Sequence, residues 1–139
     1  MPKESILLDT HTWLWLINGD TTLLPKTQGT INSAAAHGKV FVSTISSWEI
    51  SMLESKGRII LGRPCLDWIT TSLSLSGIKT ITLSPEIAVE SSKLPGNFHG
   101  DPADRIIVAT ARLNGLSVIT RDDRILKYSK QNFVKAIKA

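Results

Sequence analysis

The sequence predicts an α/β domain built on a largely parallel sheet. Short apolar runs of four or five residues, bounded by glycine, serine or a single acid, alternate with longer stretches of helical spacing. The 139 residues, 42% of them hydrophobic, suit one domain with its own core and leave little room for a second. No linker, repeat or low-complexity tract divides residues 1–139, so all of them are assigned to one unit.

Each element has its own signal. Ser5-Ile6-Leu7-Leu8 is an apolar run ending in Asp9, as in a buried strand. Thr10 to Ile17 reads as a helix stopped by Asn18-Gly19, and Thr22 to His37 as a second one ended by Gly38. Val40-Phe41-Val42-Ser43 is rich in strand formers, and a helix carrying Trp48, Glu49, Ile50 and Leu53 starts at Ser46 or Ser47. Leu66 to Leu75 looks helical, and Lys79 to Leu83 alternates like a strand. Ser84-Pro85 then opens a helix, with serine as cap and proline at the first helical position. Leu94 to Gly100 is a loop by its breakers. Asp101-Pro102 begins a helix running to the Asn114-Gly115 stop. Leu116 to Thr120 is a strand, Asp122 to Lys130 a helix, and Phe133 to Ile137 a last short strand.

Composition narrows the function classes. The single cysteine, Cys65, excludes an internal disulfide and fits a reducing compartment. Ile6-Leu7-Leu8 is too short for a signal peptide, and no apolar run approaches the ~20 residues of a membrane span, so a cytoplasmic protein is expected. The net charge is +4, and its excess lies at one end. From Arg121 onward there are 6 basic residues against 2 acids, whereas the first 120 positions balance at 10 and 10. That end suits a phosphate backbone, although a solvated basic helix would look the same.

The acids fall at informative places. In parallel sheets, functional groups collect where strands end. Asp9 closes the first strand and Asp122 follows the Val118-Ile119-Thr120 strand. Asp101 and Asp104, three apart near a helix start, share roughly one face, and Glu49 sits early in the helix after the second strand. Singly, each has a plain structural reading: Asp122 or Asp101 as a helix cap, Glu49 as a surface residue, Asp104 paired with Arg105 or Lys93. Together, clustered carboxylates repel one another unless a cation compensates, and hard divalent cations take oxygen ligands. Residue chemistry alone leads to an acidic metal site.

Four motifs then resemble the PIN-domain family, and more closely the toxin nucleases called VapC. They are Leu7-Leu8-Asp9-Thr10-His11 followed by Leu14-Trp15; Ser43 to Ile50; His99 to Ala111, with Asp104 ahead of Ile107-Val108-Ala109-Thr110-Ala111; and Val118-Ile-Thr-Arg-Asp122. Their order and spacing cover nearly the whole chain. The resemblance implies a three-layer α/β/α sandwich with a central, mostly parallel sheet of four to five strands. It also implies hydrolysis of RNA phosphodiesters with Mg²⁺ or Mn²⁺, a cognate antitoxin protein as partner, and a homodimer. The family's acidic positions fall on Asp9, Glu49, Asp104 and Asp122, with Asp9 and Asp104 as the principal metal ligands and Asp122 direct or through water.

Asp101 is then a cap or a group behind the ligands, and it is the rival to Asp104. His11 and His99 are left outside the ligand set. Arg124, Lys127 and Lys130 are candidates for the RNA backbone, while Trp13, Trp15, Trp48 and Trp68 are read mainly as core or interface, Trp48 as packing beside Glu49.

Competing readings are weaker. A non-catalytic RNA-binding or scaffold protein on the same fold would be favoured by loss of an acid, and all four are present. A phosphatase of the haloacid-dehalogenase type needs Asp-x-Asp where this chain has Asp9-Thr10-His11. A phospho-receiver domain needs an aspartate ending a central strand where Ser43 and Ser84 stand.

Overall fold

In the computed structural model, which describes residues 4–75 and 77–139, the chain folds around one parallel sheet. In chain order the elements are β1 (Ile6–Leu8), α1 (Thr10–Asn18), α2 (Pro25–Ala35), β2 (Val40–Ser43), α3 (Thr44–Ser55), α4 (Cys65–Leu75), β3 (Ile78–Ile81), α5 (Pro85–Ser92), α6 (Pro102–Asn114), β4 (Ser117–Thr120), α7 (Asp123–Lys130) and β5 (Lys135–Lys138). The strand order is β3-β2-β1-β4-β5, and each neighbouring pair is parallel.

Burial explains the sequence pattern. β1 and β4 lie inside the sheet with both faces covered, so they read as continuous apolar runs rather than alternating ones. Ile6 and Leu8 point to one face, where Trp13, Leu14, Ile31, Val42, Ile50 and Trp68 pack against them. Leu7 and Val118 point to the other, against Ile87, Ile107, Val108, Ile125 and Tyr128. Helices on both faces make the expected three-layer sandwich. No helix among the described residues is long and apolar enough to cross a membrane.

Element boundaries move by a few residues, for local reasons. α2 begins at Pro25, whose fixed φ and missing N–H suit a first helical position. Ahead of it Asp20 Oδ1 accepts the Thr22 N–H in a turn and Leu23 is buried. α3 begins at Thr44, because Ser43 ends β2 and caps the helix at once: its hydroxyl oxygen accepts the Ile45 N–H at 3.1 Å. β3 stops at Ile81, leaving Leu83 exposed before the Ser84 cap, and β5 lies at Lys135–Lys138 rather than Phe133–Ile137.

The topology determines where a site can form. From β1 the chain winds outward through β2 and β3 on one side, and through β4 and β5 on the other. The order therefore reverses between β1 and β4, which opens a crevice at their carboxyl ends. Leu8 pairs with Ile119, so Asp9 and Thr120 leave the sheet at the same level.

Candidate active site

Three helices start around this crevice, each capped by an aspartate: α1 by Asp9, α6 by Asp101 and α7 by Asp122. The plain reading of these acids as caps holds, and capping does not keep them from also lining the crevice. Asp9 Oδ1 accepts from the Thr10 N–H at 2.8 Å, while Oδ2 accepts from the Thr120 hydroxyl at 2.6 Å. The Thr120 oxygen in turn accepts the Asp122 N–H at 3.0 Å. One buried hydroxyl therefore ties the first and fourth acids together across the β1–β4 seam.

Asp122 Oδ1 accepts the N–H groups of Arg124 at 2.8 Å and Ile125 at 3.4 Å. Asp101 Oδ1 accepts the Asp104 N–H at 2.9 Å. That bond fixes the first turn of α6 and leaves Asp104 buried, facing inward. Glu49 comes from α3 and is half-buried; its Oε1 accepts the Thr10 hydroxyl at 2.5 Å, and Thr10 shares a further hydrogen bond with Ser46 at 2.9 Å. Thr10 thus couples the second acid to the residue beside the first.

All four predicted acids line one cavity of about 380 Å³, together with Asp101, Thr10, His11, Trp15, Arg121 and Arg124. His99 is exposed and is not among its lining residues. A larger cavity of about 600 Å³ lies between α1, α2 and α4, but no carboxylate or imidazole lines it; the acids gather on the smaller one. Of the tryptophans, Trp13 and Trp68 pack together in the core at 5.4 Å between ring centroids. Trp15 lies on the cavity wall under the Arg121 guanidinium, 5.2 Å from its centroid. Trp48 is 54% exposed, so it does not pack its helix down as expected.

The electrostatics are those of crowded acids. Burial raises the pKa of Asp104 to about 7, with the carboxylates of Asp101, Asp9 and Asp122 adding to the rise and Arg124 opposing it. Burial also pushes Asp9 up, against the hydrogen bonds from Thr120 and Thr10. Glu49 is raised by burial and by Asp9 and Asp101. Burial alone would raise Asp122 too, but the Arg124 side chain and the capped N–H groups hold it below the ordinary value.

Arg124, a candidate for the RNA backbone, turns inward here: its Nη2 lies 3.1 Å from both Asp104 Oδ2 and Asp122 Oδ2. Asp104 therefore pairs with Arg124, not with Arg105 or Lys93. Among the described residues, no three acid, imidazole or thiol side chains converge to the spacing of a closed metal centre with the guanidinium between these two. The donor chemistry nonetheless fits a hard divalent ion: carboxylate oxygens from four chain segments surround one cavity, and their charge is only partly compensated.

Sequence reasoning missed Thr120, Thr10 and Ser46 as supports. The signal was there, a hydroxyl one residue after Asp9 and two before Asp122, but its meaning depends on strand register.

The comparisons with known proteins bear on the family and the fold. Residues 6–131 match the family model described as PIN domain. The chain is 32% identical over 121 residues to Ribonuclease VapC22 of Mycobacterium tuberculosis (strain ATCC 25618 / H37Rv), covering 87% of this chain and 89% of that protein. Among solved structures, VapBC2 from Rickettsia felis bound to a promoter DNA fragment superposes with a TM-score of 0.64 at 17% identity, covering 96% of this chain and 97% of that one. A toxin-antitoxin complex from Klebsiella pneumoniae gives a TM-score of 0.51 at 23% identity, covering 85% and 87%. At those identities the two structures speak for the fold alone. The family match and the acids at the β1–β4 crevice lead to one conclusion: the chain belongs to the PIN domain family.

Proposed function

We propose that the protein is a divalent-metal-dependent ribonuclease that hydrolyses RNA phosphodiester bonds in the cytoplasm as the toxin of a toxin–antitoxin pair. The observation that carries this reading is the convergence of Asp9, Glu49, Asp104 and Asp122 on one cavity at the sheet's switch point. The sequence relative supports it, being a ribonuclease of the VapC type, and one structure that shares the fold is a toxin-antitoxin complex. A cognate antitoxin protein and a second copy of the chain are the partners this reading assigns.

Asp9 and Asp104 would hold the ion, with Asp122 joining directly or through water. A bound Mg²⁺ or Mn²⁺ would supply charge stabilisation on the phosphoryl oxygen and a nucleophilic water near neutral pH. Thr10 fixes Oε1 of Glu49 and so orients the carboxylate. Glu49 takes the proton of the attacking water, and its raised pKa improves it as a base near neutrality. Thr120 keeps Asp9 in place through Oδ2. Lys127 and Lys130, basic residues of the last turn of α7, offer exposed charge to the RNA backbone.

The test is incubation of a mixed RNA pool with Mg²⁺, with EDTA, and with the Asp9→Asn variant. Cleavage is expected only for wild type with the metal. A folded wild-type protein that binds RNA and leaves it intact, with Mn²⁺ as well, rejects the enzyme reading in favour of a non-catalytic RNA-binding protein.

A further inference from the structure

Arg124 stands where its own helix opposes it. It is the second residue of α7, in the first turn, where the positive end of the helix dipole disfavours a cation. Lys127 and Lys130 occupy the last turn, which favours them. What compensates Arg124 comes from acids around the cavity. Its Nη2 bridges Asp104 Oδ2 and Asp122 Oδ2 at 3.1 Å each, and its Nε reaches Asp122 Oδ1 at 3.4 Å. Among the described residues, these are the only ion pairs made to the four site acids. The Arg124 side chain keeps 52% exposure, so packing does not lock it there, whereas that of Asp104 keeps only 11%.

We propose that Arg124 is a resident counter-cation, which bridges Asp104 and Asp122 in the metal-free protein and gives up both acids when a divalent ion binds. The inference rests on the metal-dependent reading above and adds a competitor built into the chain itself. A guanidinium and a divalent ion cannot share the same oxygens, because like charges within ~4 Å repel strongly in a partly buried site. Once the acids are committed to an ion, Arg124 loses its partners and is repelled by both the ion and the α7 N-terminus. Its half-exposed side chain then turns to the rim at little cost in packing. There a planar guanidinium suits the non-bridging oxygens of an incoming phosphodiester. The inward position seen here and the expected contact with RNA thus become two stations of one side chain.

The test is calorimetric titration of metal-free protein with Mn²⁺, together with melting curves with and without Mn²⁺. The proteins compared are wild type, Arg124→Ala, Arg124→Lys and Lys127→Ala. Arg124→Ala is expected to bind Mn²⁺ roughly five- to thirty-fold more tightly than wild type. Its melting temperature should fall without metal and recover when Mn²⁺ is added. Arg124→Lys should lie between, since an ammonium cannot fork across two carboxylates. Lys127→Ala should stay near wild type, because an exposed charge outside the acid pair is screened.

If Arg124→Ala binds Mn²⁺ no more tightly than wild type, or if Lys127→Ala tightens binding equally, the proposal is overturned. Should Arg124→Ala fail to fold without metal, Arg124→Lys decides: an affinity equal to or weaker than wild type overturns it. The predicted order of Mn²⁺ affinities without RNA cleavage would support the competition while rejecting the ribonuclease reading.

Discussion

Thr120 holds Asp9 across the seam between β4 and β1, donating to Oδ2 at 2.6 Å although the two residues are 111 positions apart. The same oxygen accepts the Asp122 N–H, so one buried side chain sets the spacing of two acids. Thr120→Val keeps the shape and removes the hydroxyl. It should weaken Mn²⁺ binding about 10- to 100-fold, as loss of a support behind a metal ligand does. It should also cost about 1–3 kcal/mol of stability, through the unpaired Asp122 N–H and Asp9 oxygen. Calorimetry and denaturant unfolding measure the two effects; Mn²⁺ affinity unchanged in a folded Thr120→Val protein would rule out this supporting role.

Asp9→Asn should reduce RNA cleavage by roughly a thousand-fold or more, in line with removal of a central electrostatic group. The fold should survive, because an amide oxygen still accepts a hydrogen bond and Asn avoids the cost of ionising at a buried position. Gel-based cleavage assays beside circular dichroism would check both halves. Wild-type cleavage by the variant would remove Asp9 from the mechanism.

Asp104 makes the metal-free protein sensitive to pH. Its pKa stands near 7 in the fold against 3.8 for the free group, so the folded state holds the extra proton between these values. Unfolding stability from this group is therefore largest at low pH, falls as pH rises from about 4 to 7, and levels off above that. Asp9 and Glu49, also raised, contribute slopes of the same sign. Asp122, being lowered, contributes stability that is lost only as pH falls through the acidic range below its ordinary value. In EDTA, Asp104→Asn should melt roughly 3–6 °C above wild type at pH 8 and close to it at pH 4. A variant that melts below wild type at pH 8 would contradict the assignment.

The division of labour separates two acids. Asp104→Asn should lose more Mn²⁺ affinity than Glu49→Gln, because the proposed mechanism assigns Asp104 to the ion and Glu49 to the attacking water. Both should lose cleavage by about 100-fold or more. Equal losses of affinity in a calorimetric titration would show that Glu49 is a ligand.

Much of this fold was readable because local rules and the tertiary environment agree. The apolar runs of β1 and β4 are buried on both faces, as their composition implies. The Ser84-Pro85 start of α5 and the glycine stops at Gly19 and Gly115, with φ of 63° at each, follow from local sterics. Asp9 and Asp122 were legible as acids because each stands within two residues after a strand. Ser43 was not, since a residue that closes a strand and caps the next helix leaves no loop to mark the change. Thr120 depends on the Leu8–Ile119 register and Arg124 on how α6 meets α7, and neither relation is local. Trp13 and Trp48 are the same residue type, each on a helix, yet one is fully buried and the other is 54% exposed; only the packing of α1 and α3 decides which.

The 111-residue gap between Thr120 and Asp9 also has a meaning in time. At a synthesis rate of about 5–20 residues per second, a ribosome makes Asp9 roughly 5–20 s before Thr120, and Arg124 later still. Throughout that interval β1 has no β4 beside it, so the first acid has neither its hydroxyl anchor nor its partner acids. Until then a nascent chain carries the first acid without the groups that surround it in the folded crevice.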